Sequence, residues 1–335
     1  MITFDTKELK VVIRLLAPAL RGKRSGILQN VLISCRDGEA TLTASDLDIE
    51  ISVALPVATE FAGSFLVDNA LLKKIAASGK ATINSKAVLE SKPIEDFPRL
   101  QPGEMKAVNS EGLSGILSAA VKAVAKKDVR YYLTGVLLDC DDDAVVATDG
   151  IRLVWRRFDF GTPGQYILPA AAAKVIAAAL EHDDARLSVS DLFIVVERDG
   201  FKAIAKTING SYPRWQRVTE IKHKDWLVIE SRAVFIAALK RIKPAVHNYI
   251  TLYVQRGLLY IEADELEEEV ETVEIEQYGF DGYFCSLDAT YLLASLQSIK
   301  ERSVVIETAE NGAVKIIGAN SEESDGFDII MGLNK

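Results

Sequence analysis

Ala44-Ser45-Asp46, Ala147-Thr148-Asp149 and Glu262-Ala263-Asp264 each close a strand-like run. They recur at intervals of roughly a hundred residues, a period long enough for a duplicated domain with its own core and too long for a solenoid unit. Upstream of each signature, two strand-like runs flank a tight turn: Arg36-Asp37-Gly38, Asp141-Asp142-Asp143 and Gln255-Arg256-Gly257. Further upstream lies a helix-period segment, over 5–16, 110–127 and 231–243. Thr6, Ser110 and Ser231 are candidate N-caps, since a side-chain oxygen there can accept an orphan backbone N–H. Downstream of the first signature, Ile49, Ile51, Val53 and Leu55 alternate with polar residues, as in a half-buried strand. A second short helix follows in each copy, over 69–78, 170–181 and 289–302, and more strands come after it, as at 186–198 and 303–308. Polar linkers at 97–103 and 219–225 separate the copies. The expected fold is α+β, with three similar domains at 1–104, 105–221 and 222–335, each of antiparallel sheet with two helices.

Composition removes several classes of function. The chain has 335 residues, 49% of them hydrophobic and 26% charged, which suits globular domains with real cores and excludes overall disorder. No uncharged apolar stretch approaches the ~20 residues of a bilayer span. The first residues, Met1 to Glu8, lack the apolar core of a secretory signal. Cys35, Cys140 and Cys285 are more than a hundred residues apart, so reduced thiols in a cytoplasmic protein are expected. There is no GxxxxGK[ST], no strand-linked GxGxxG and no HExxH. His182, His223 and His247 are isolated, and the acids 141–143 read as a solvated hairpin tip. Asp46, Asp149 and Asp264 occupy equivalent repeat positions, which points to a turn and away from catalysis.

The charge is unevenly sorted. Lysine and arginine total 39 against 48 acids, a net charge of -9. The first two segments are balanced, and the excess acid falls in 222–335. The six helix windows hold 15 basic residues and five acids. Lys7, Lys10 and Arg14 share one face of the first helix. Basic helices on an acidic body suit an enclosed polyanion better than one held by overall attraction.

Arg130-Tyr131-Tyr132-Leu133-Thr134-Gly135-Val136, Ala147-Thr148-Asp149-Gly150-Ile151-Arg152-Leu153 and Gly210-Ser211-Tyr212-Pro213-Arg214-Trp215-Gln216-Arg217-Val218 resemble the bacterial sliding clamp, the β subunit of DNA polymerase III. Ile27 to Leu32 and Glu95-Asp96-Phe97-Pro98 are similar to that family's first domain. The resemblance implies a head-to-tail homodimeric ring that encircles double-stranded DNA topologically and tethers DNA polymerase, with no cofactor, metal or catalytic residue. Further DNA-facing positions it implies are Arg24, Lys127, Tyr131 and Tyr132. It implies a pocket between the second and third domains for short linear peptides of the polymerase and clamp loader. That pocket maps to Leu133, Thr148, Gly150, Arg152, Leu153, Pro213, Arg217, Val218, Ile329, Ile330 and Met331. The implied subunit contact sets Lys86 and Leu89 of one copy against Leu239, Ile242, Glu267 and Glu271 of another. Three features depart from the family pattern: Ile151 where histidine is usual, the tail Met331-Gly332-Leu333-Asn334-Lys335, and a shortened stretch between Ile75 and Phe97. They suggest a divergent or accessory member. The competing reading is a peptide-binding scaffold or decoy that never loads on DNA.

Overall fold

A computed structural model of the protein describes residues 1–335 apart from 21–25, 80, 84–92, 221, 243–248, 264–269, 322–324 and 334–335. Arg24, Lys86, Leu89, Glu267, Asp264 and His247 therefore lie outside the described residues. The helices are α1 (Thr6–Leu16), α2 (Asn69–Ala77), α3 (Leu113–Ala120), α4 (Ala170–Ala179), the single turn α5 (Gln216–Thr219), α6 (Arg232–Arg241) and α7 (Ala289–Ser298). None is long and apolar enough to cross a membrane among the described residues.

Three helices start on the same device. Asp5, Asp68 and Asp288 each accept two backbone amides of the first turn, at 2.7 to 3.2 Å. Thr6, expected as the first cap, is already helical, because Asp5 one residue earlier takes that role. Ser231 does cap α6, through the Val234 amide. The helix expected over 110–127 is confined to α3. Beyond it the Ala125 amide donates to the Leu133 carbonyl at 2.9 Å, which takes the chain off the helical path and leaves Lys122, Lys126 and Lys127 outside.

The strands pair antiparallel. The first and third hairpins turn on Asp37-Gly38 and Arg256-Gly257, all four residues at positive φ. With Arg36 paired to Glu39 and Gln255 to Leu258, these are two-residue turns whose twist suits the strands. The repeated aspartate then starts the following strand. Asp46 accepts the amides of Asp48 and Ile49 at 3.0 and 2.7 Å, and Asp149 accepts those of Ile151 and Arg152, both at 3.0 Å. The two positions do the same mechanical work.

The chain divides into two compact units: one of 1–114, 160–162 and 168–209, the other of 115–159, 163–167 and 210–335. In the first unit a ten-stranded sheet runs from Gly63–Asp68 through Asn30–Arg36, Glu39–Ser45 and Ile49–Thr59 to Phe201–Lys206, Phe193–Arg198, Arg186–Val189 and Lys106–Val108, with Ile2–Phe4 branching off Ile49–Thr59 and Thr82–Ile83 beyond it. In the second, a nine-stranded sheet passes from Gly135–Asp139, Ala144–Thr148 and Arg152–Arg157 to Gly326–Met331, Ala313–Gly318 and Val304–Ala309. Both sheets therefore join strands from two successive sequence repeats. The joints are equivalent: Ile49–Val53 against Phe201–Ala205, and Arg152–Arg156 against Gly326–Ile330. A separate four-stranded sheet, Val270–Glu274, Leu258–Ala263, Tyr249–Gln255 and Gly282–Asp288, belongs to the third repeat.

The core of the second unit forms where α6 and α7 lie on these sheets, with Phe235, Leu239, Leu292 and Leu296 among Ile250, Leu252, Ile261 and Ile330. All three cysteines are buried and unpaired.

A charged staple lies across the joint in the second unit. Asp328, 1% exposed, meets the Arg156 guanidinium at 2.6 Å, and that guanidinium also donates to Ser298 of α7 at 3.1 Å. Gly326 stands opposite Arg156 because an added Cβ would meet the Trp155 carbonyl at 2.5 Å. Removing one member of a buried pair strands the other charge, which typically costs ~3 kcal/mol or more. Asp328→Ala should therefore lower unfolding stability by about that amount in urea titration. A variant as stable as the parent would show that the pair is not carrying the joint.

Candidate functional site

The turn opened by Asp149 builds one wall of a cavity of about 310 Å³. The Thr148 hydroxyl donates to the Arg152 carbonyl at 2.6 Å and accepts the Gly150 amide at 3.0 Å. The Thr148 amide donates to the Tyr212 hydroxyl at 3.1 Å, and burial pushes that phenol far above its ordinary range. Arg152 is held on three sides. Its Nε donates to Asp149 at 3.1 Å, its Nη2 donates to the Lys122 carbonyl, and its guanidinium lies 4.1 Å over the Tyr291 ring of α7. Such a side chain presents donors at a fixed place with little entropy left to lose.

The opposite wall comes from Tyr212, Pro213, Arg214 and Trp215, then Val218 on α5. Trp215 is anchored by a buried carboxylate. Its indole N–H donates to one oxygen of Asp139 at 3.0 Å, and Gln165 donates to the other at 3.0 Å. The indole also stacks on Trp155 with centroids 5.9 Å apart. The joint strand supplies the remaining wall through Ile329 and Met331, and the Met331 amide donates to the Ile151 carbonyl at 2.8 Å. Leu133 and Leu153 are buried beneath.

The lining is apolar with a basic rim of Arg130, Arg152 and Arg214 and no carboxylate among the described lining residues. Arg130 is itself paired with Asp128 at 2.7 Å, and the hydrogen bonds from Arg130 bring that carboxyl down to about 2. Ile151 and Val218 are roughly half exposed, an unusual state for branched apolar side chains in a concavity. Such a slot accepts hydrophobic side chains and orients polar backbone atoms. No cluster of His, Cys, Asp and Glu that could hold a metal occurs among the described residues.

Nine of the expected pocket residues line this cavity together: Leu133, Thr148, Gly150, Arg152, Leu153, Pro213, Val218, Ile329 and Met331. Two do not. Arg217 lines a neighbouring cavity with Asp139, Gln165 and Glu220, and Ile330 is fully buried in the core. Arg130, Ile151, Tyr212, Arg214 and Trp215 line the cavity without having been singled out for it. All five stand inside the quoted motifs, and a tryptophan following Arg214 was the available signal.

Lys7, Lys10 and Arg14 are exposed on α1, opposite buried Leu9, Val12, Ile13 and Leu16. Lys127 is exposed, and Tyr131, 55% exposed, meets Tyr132 edge-on at 5.7 Å. Leu239 and Ile242, expected at a subunit contact, are instead each 5% exposed within the core under α6. The residues Phe235, Ala238, Leu239 and Ile242 form the inward stripe of that helix, so the last two have no surface to offer. Glu271 sits on the strand Val270–Glu274 and is bound bidentately by Arg241, both contacts at 2.7 Å, which lowers its carboxyl.

Residues 107–214 match the family described as DNA polymerase III beta subunit, central domain. Over 333 residues the chain is 27% identical to the beta sliding clamp of Pseudomonas aeruginosa, covering 89% of this chain and 90% of that one. It is 24% identical to the beta sliding clamp of Vibrio cholerae over 362 residues, covering 98% of each. Similarity to β sliding clamps therefore runs along nearly the whole chain. The fold agrees: the DNA polymerase III subunit beta structure from P. aeruginosa superposes with a TM-score of 0.85 at 23% identity, over 100% of both chains. The sliding clamp structure from Bacillus subtilis gives 0.86 at 17% identity, covering 100% of this chain and 99% of that one.

In this chain the buried Asp139 should matter to the pocket wall. Asp139→Ala leaves the indole N–H unpaired and should cost about 1–3 kcal/mol of stability. The near-ultraviolet circular dichroism of the stacked Trp155–Trp215 pair should change with it. An unaltered spectrum would mean that packing alone fixes Trp215.

Proposed function

We propose that this chain is a DNA-polymerase processivity clamp, non-catalytic, that closes as a head-to-tail homodimer around double-stranded DNA. In this reading three domains, at 1–104, 105–221 and 222–335, make up each half of the ring. Lys7, Lys10, Arg14, Lys127, Tyr131 and Tyr132 face the DNA, and the protein works in the cytoplasm. The observation that carries the ring is an uncompleted joint. The strands Ile49–Thr59 and Arg152–Arg157 are each covered by a strand of the following repeat. Their counterpart in the third repeat, Val270–Glu274, ends its four-stranded sheet with no outer neighbour among the described residues. An open strand edge is a template for another chain, and a second copy of this one offers the matching half.

The Arg152–Trp215–Met331 slot then receives a short linear peptide of the polymerase and clamp loader. One or two apolar anchors would carry most of the binding energy. Ile151 lengthens the apolar wall, as suits a divergent or accessory member with its own peptide preference.

Protein loaded on nicked circular DNA should be retained through a salt wash and lost once the circle is linearised, because linkage holds it and counterion-dependent affinity does not. Equal retention on both forms would remove the ring and leave a peptide-binding scaffold. Val218→Asp alters an exposed position, so the fold should persist. Its affinity for a labelled peptide from the host polymerase C-terminus should fall by ~2 kcal/mol or more, read by fluorescence anisotropy. Unchanged anisotropy would displace the peptide from this slot.

A further inference from the structure

The outer face of the four-stranded sheet carries aromatic side chains where an antiparallel sheet usually shows polar ones to solvent. Leu252, Val254, Leu259 and Ile261 are buried in the core with α6 and α7. The period of two therefore sends Tyr253, Tyr260 and Glu262 to the other face. Tyr253 stands opposite Tyr260 on one neighbouring strand and opposite Tyr283 on the other, and it meets Tyr283 edge-on with ring centroids 6.1 Å apart. The register shifts between Leu252 and Tyr253. This bulge lets the consecutive residues Phe284 and Cys285 both reach the core while Tyr283 stays 46% exposed. Three tyrosines thus form a row across three strands.

A groove of about 750 Å³ follows this row to the hairpin tip. Its walls include Tyr253, Tyr260, Gln255, Arg256, Glu262 and Asp281, and Gly282, at φ 113°, borders it without a side chain. Glu262 lies two residues from Tyr260 on the same face, and Asp281 lies two residues before Tyr283. Neither carboxylate forms an ion pair among the described residues, with Arg256 or with any other cation. The groove shares no residue with the peptide slot.

Its chemistry selects the occupant. Two carboxylates repel a phosphate, and the third repeat as a whole carries the excess acid of the chain. A purely apolar segment would strip water from those carboxylates and give them no partner. A guanidinium meets both demands, because its flat face stacks on tyrosine and its fork donates two hydrogen bonds to a carboxylate. An ammonium supplies the charge without the fork or the planar face. We propose that this groove docks an arginine side chain from a basic segment of a partner protein. Docking here uses the face of the sheet, whereas ring closure uses its edge at Val270–Glu274, so the two are compatible. The inference goes beyond the clamp reading and rests on neither the ring nor the peptide slot.

The test uses the full chain and a fluorescein-labelled hexapeptide of alternating glycine and arginine, with a lysine counterpart, at physiological ionic strength. Anisotropy should saturate with the arginine peptide, and the lysine peptide should bind several-fold more weakly. Tyr260→Thr keeps both the net charge and a good strand former, and should weaken arginine-peptide binding about tenfold. Glu262→Gln should weaken it by a similar factor. Glu310→Gln makes the same charge change at an exposed position outside the groove and should leave binding as it is. Far-ultraviolet circular dichroism checks that each variant is folded, and the isosteric Glu262→Gln decides the matter if Tyr260→Thr is not. Equal affinity in folded Tyr260→Thr, or a loss in Glu310→Gln as large as in Glu262→Gln, would reveal general attraction to an acidic surface and overturns the groove. Equal affinity for the two peptides overturns the arginine assignment. Retention on circular DNA is a separate measurement, so failure here leaves the clamp reading standing.

Discussion

The backbone ladder between Arg152–Arg157 and Gly326–Met331 is the contact on which the second unit depends. It joins strands from two repeats that would otherwise end on open edges, and it does so where Gly326 lets two backbones approach. The ion pair of Asp328 with Arg156 locks the register, because a slip of one residue would turn Asp328 out of its guanidinium. With the register fixed, Ile329 and Met331 arrive beside Leu153 and Thr148, so the pocket is a by-product of strand pairing. The first unit repeats the arrangement with Ile49–Thr59 and Phe201–Lys206.

Much of this was legible in the residues. Asp-Gly and Arg-Gly hairpin tips, alternation after Asp46, and the equivalence of Asp46 with Asp149 all act locally, so the chain announces them. The pocket was legible only through the resemblance carried by three short stretches, since its residues taken singly read as core or turn. What escaped was orientation. Ile330 lies between Ile329 and Met331 on a strand, and the period of two sends it into the core. Arg217 and Val218 are neighbours on one helical turn, roughly 100° apart, and so face different cavities. Leu239 and Ile242 were set at a surface by analogy, although the helix carrying them places both on its inward stripe. Thr6 lost the cap to Asp5 because the aspartate already had the extended backbone a cap requires.

The electrostatics follow the same division between local and global. The protein is acidic overall, with a net charge of -9, yet exposed Lys7, Lys10 and Arg14 line the outer face of α1. Weak local attraction combined with overall repulsion favours a polyanion that is confined near the protein but free to move along it. Tight phosphate contacts over a wide surface would instead oppose sliding. A few basic side chains on an acidic body meet both needs.

The buried thiols have a practical corollary. Burial raises the pKa of Cys35 and Cys285, and raises Cys140 to about 12, so little thiolate exists at neutral pH. The thiolate is the reactive species, and these three are enclosed as well as protonated. The native chain should therefore react slowly with maleimides and mild oxidants. A single cysteine introduced on an exposed strand or helix becomes the one labelling handle, with no need to strip the natural ones from the core.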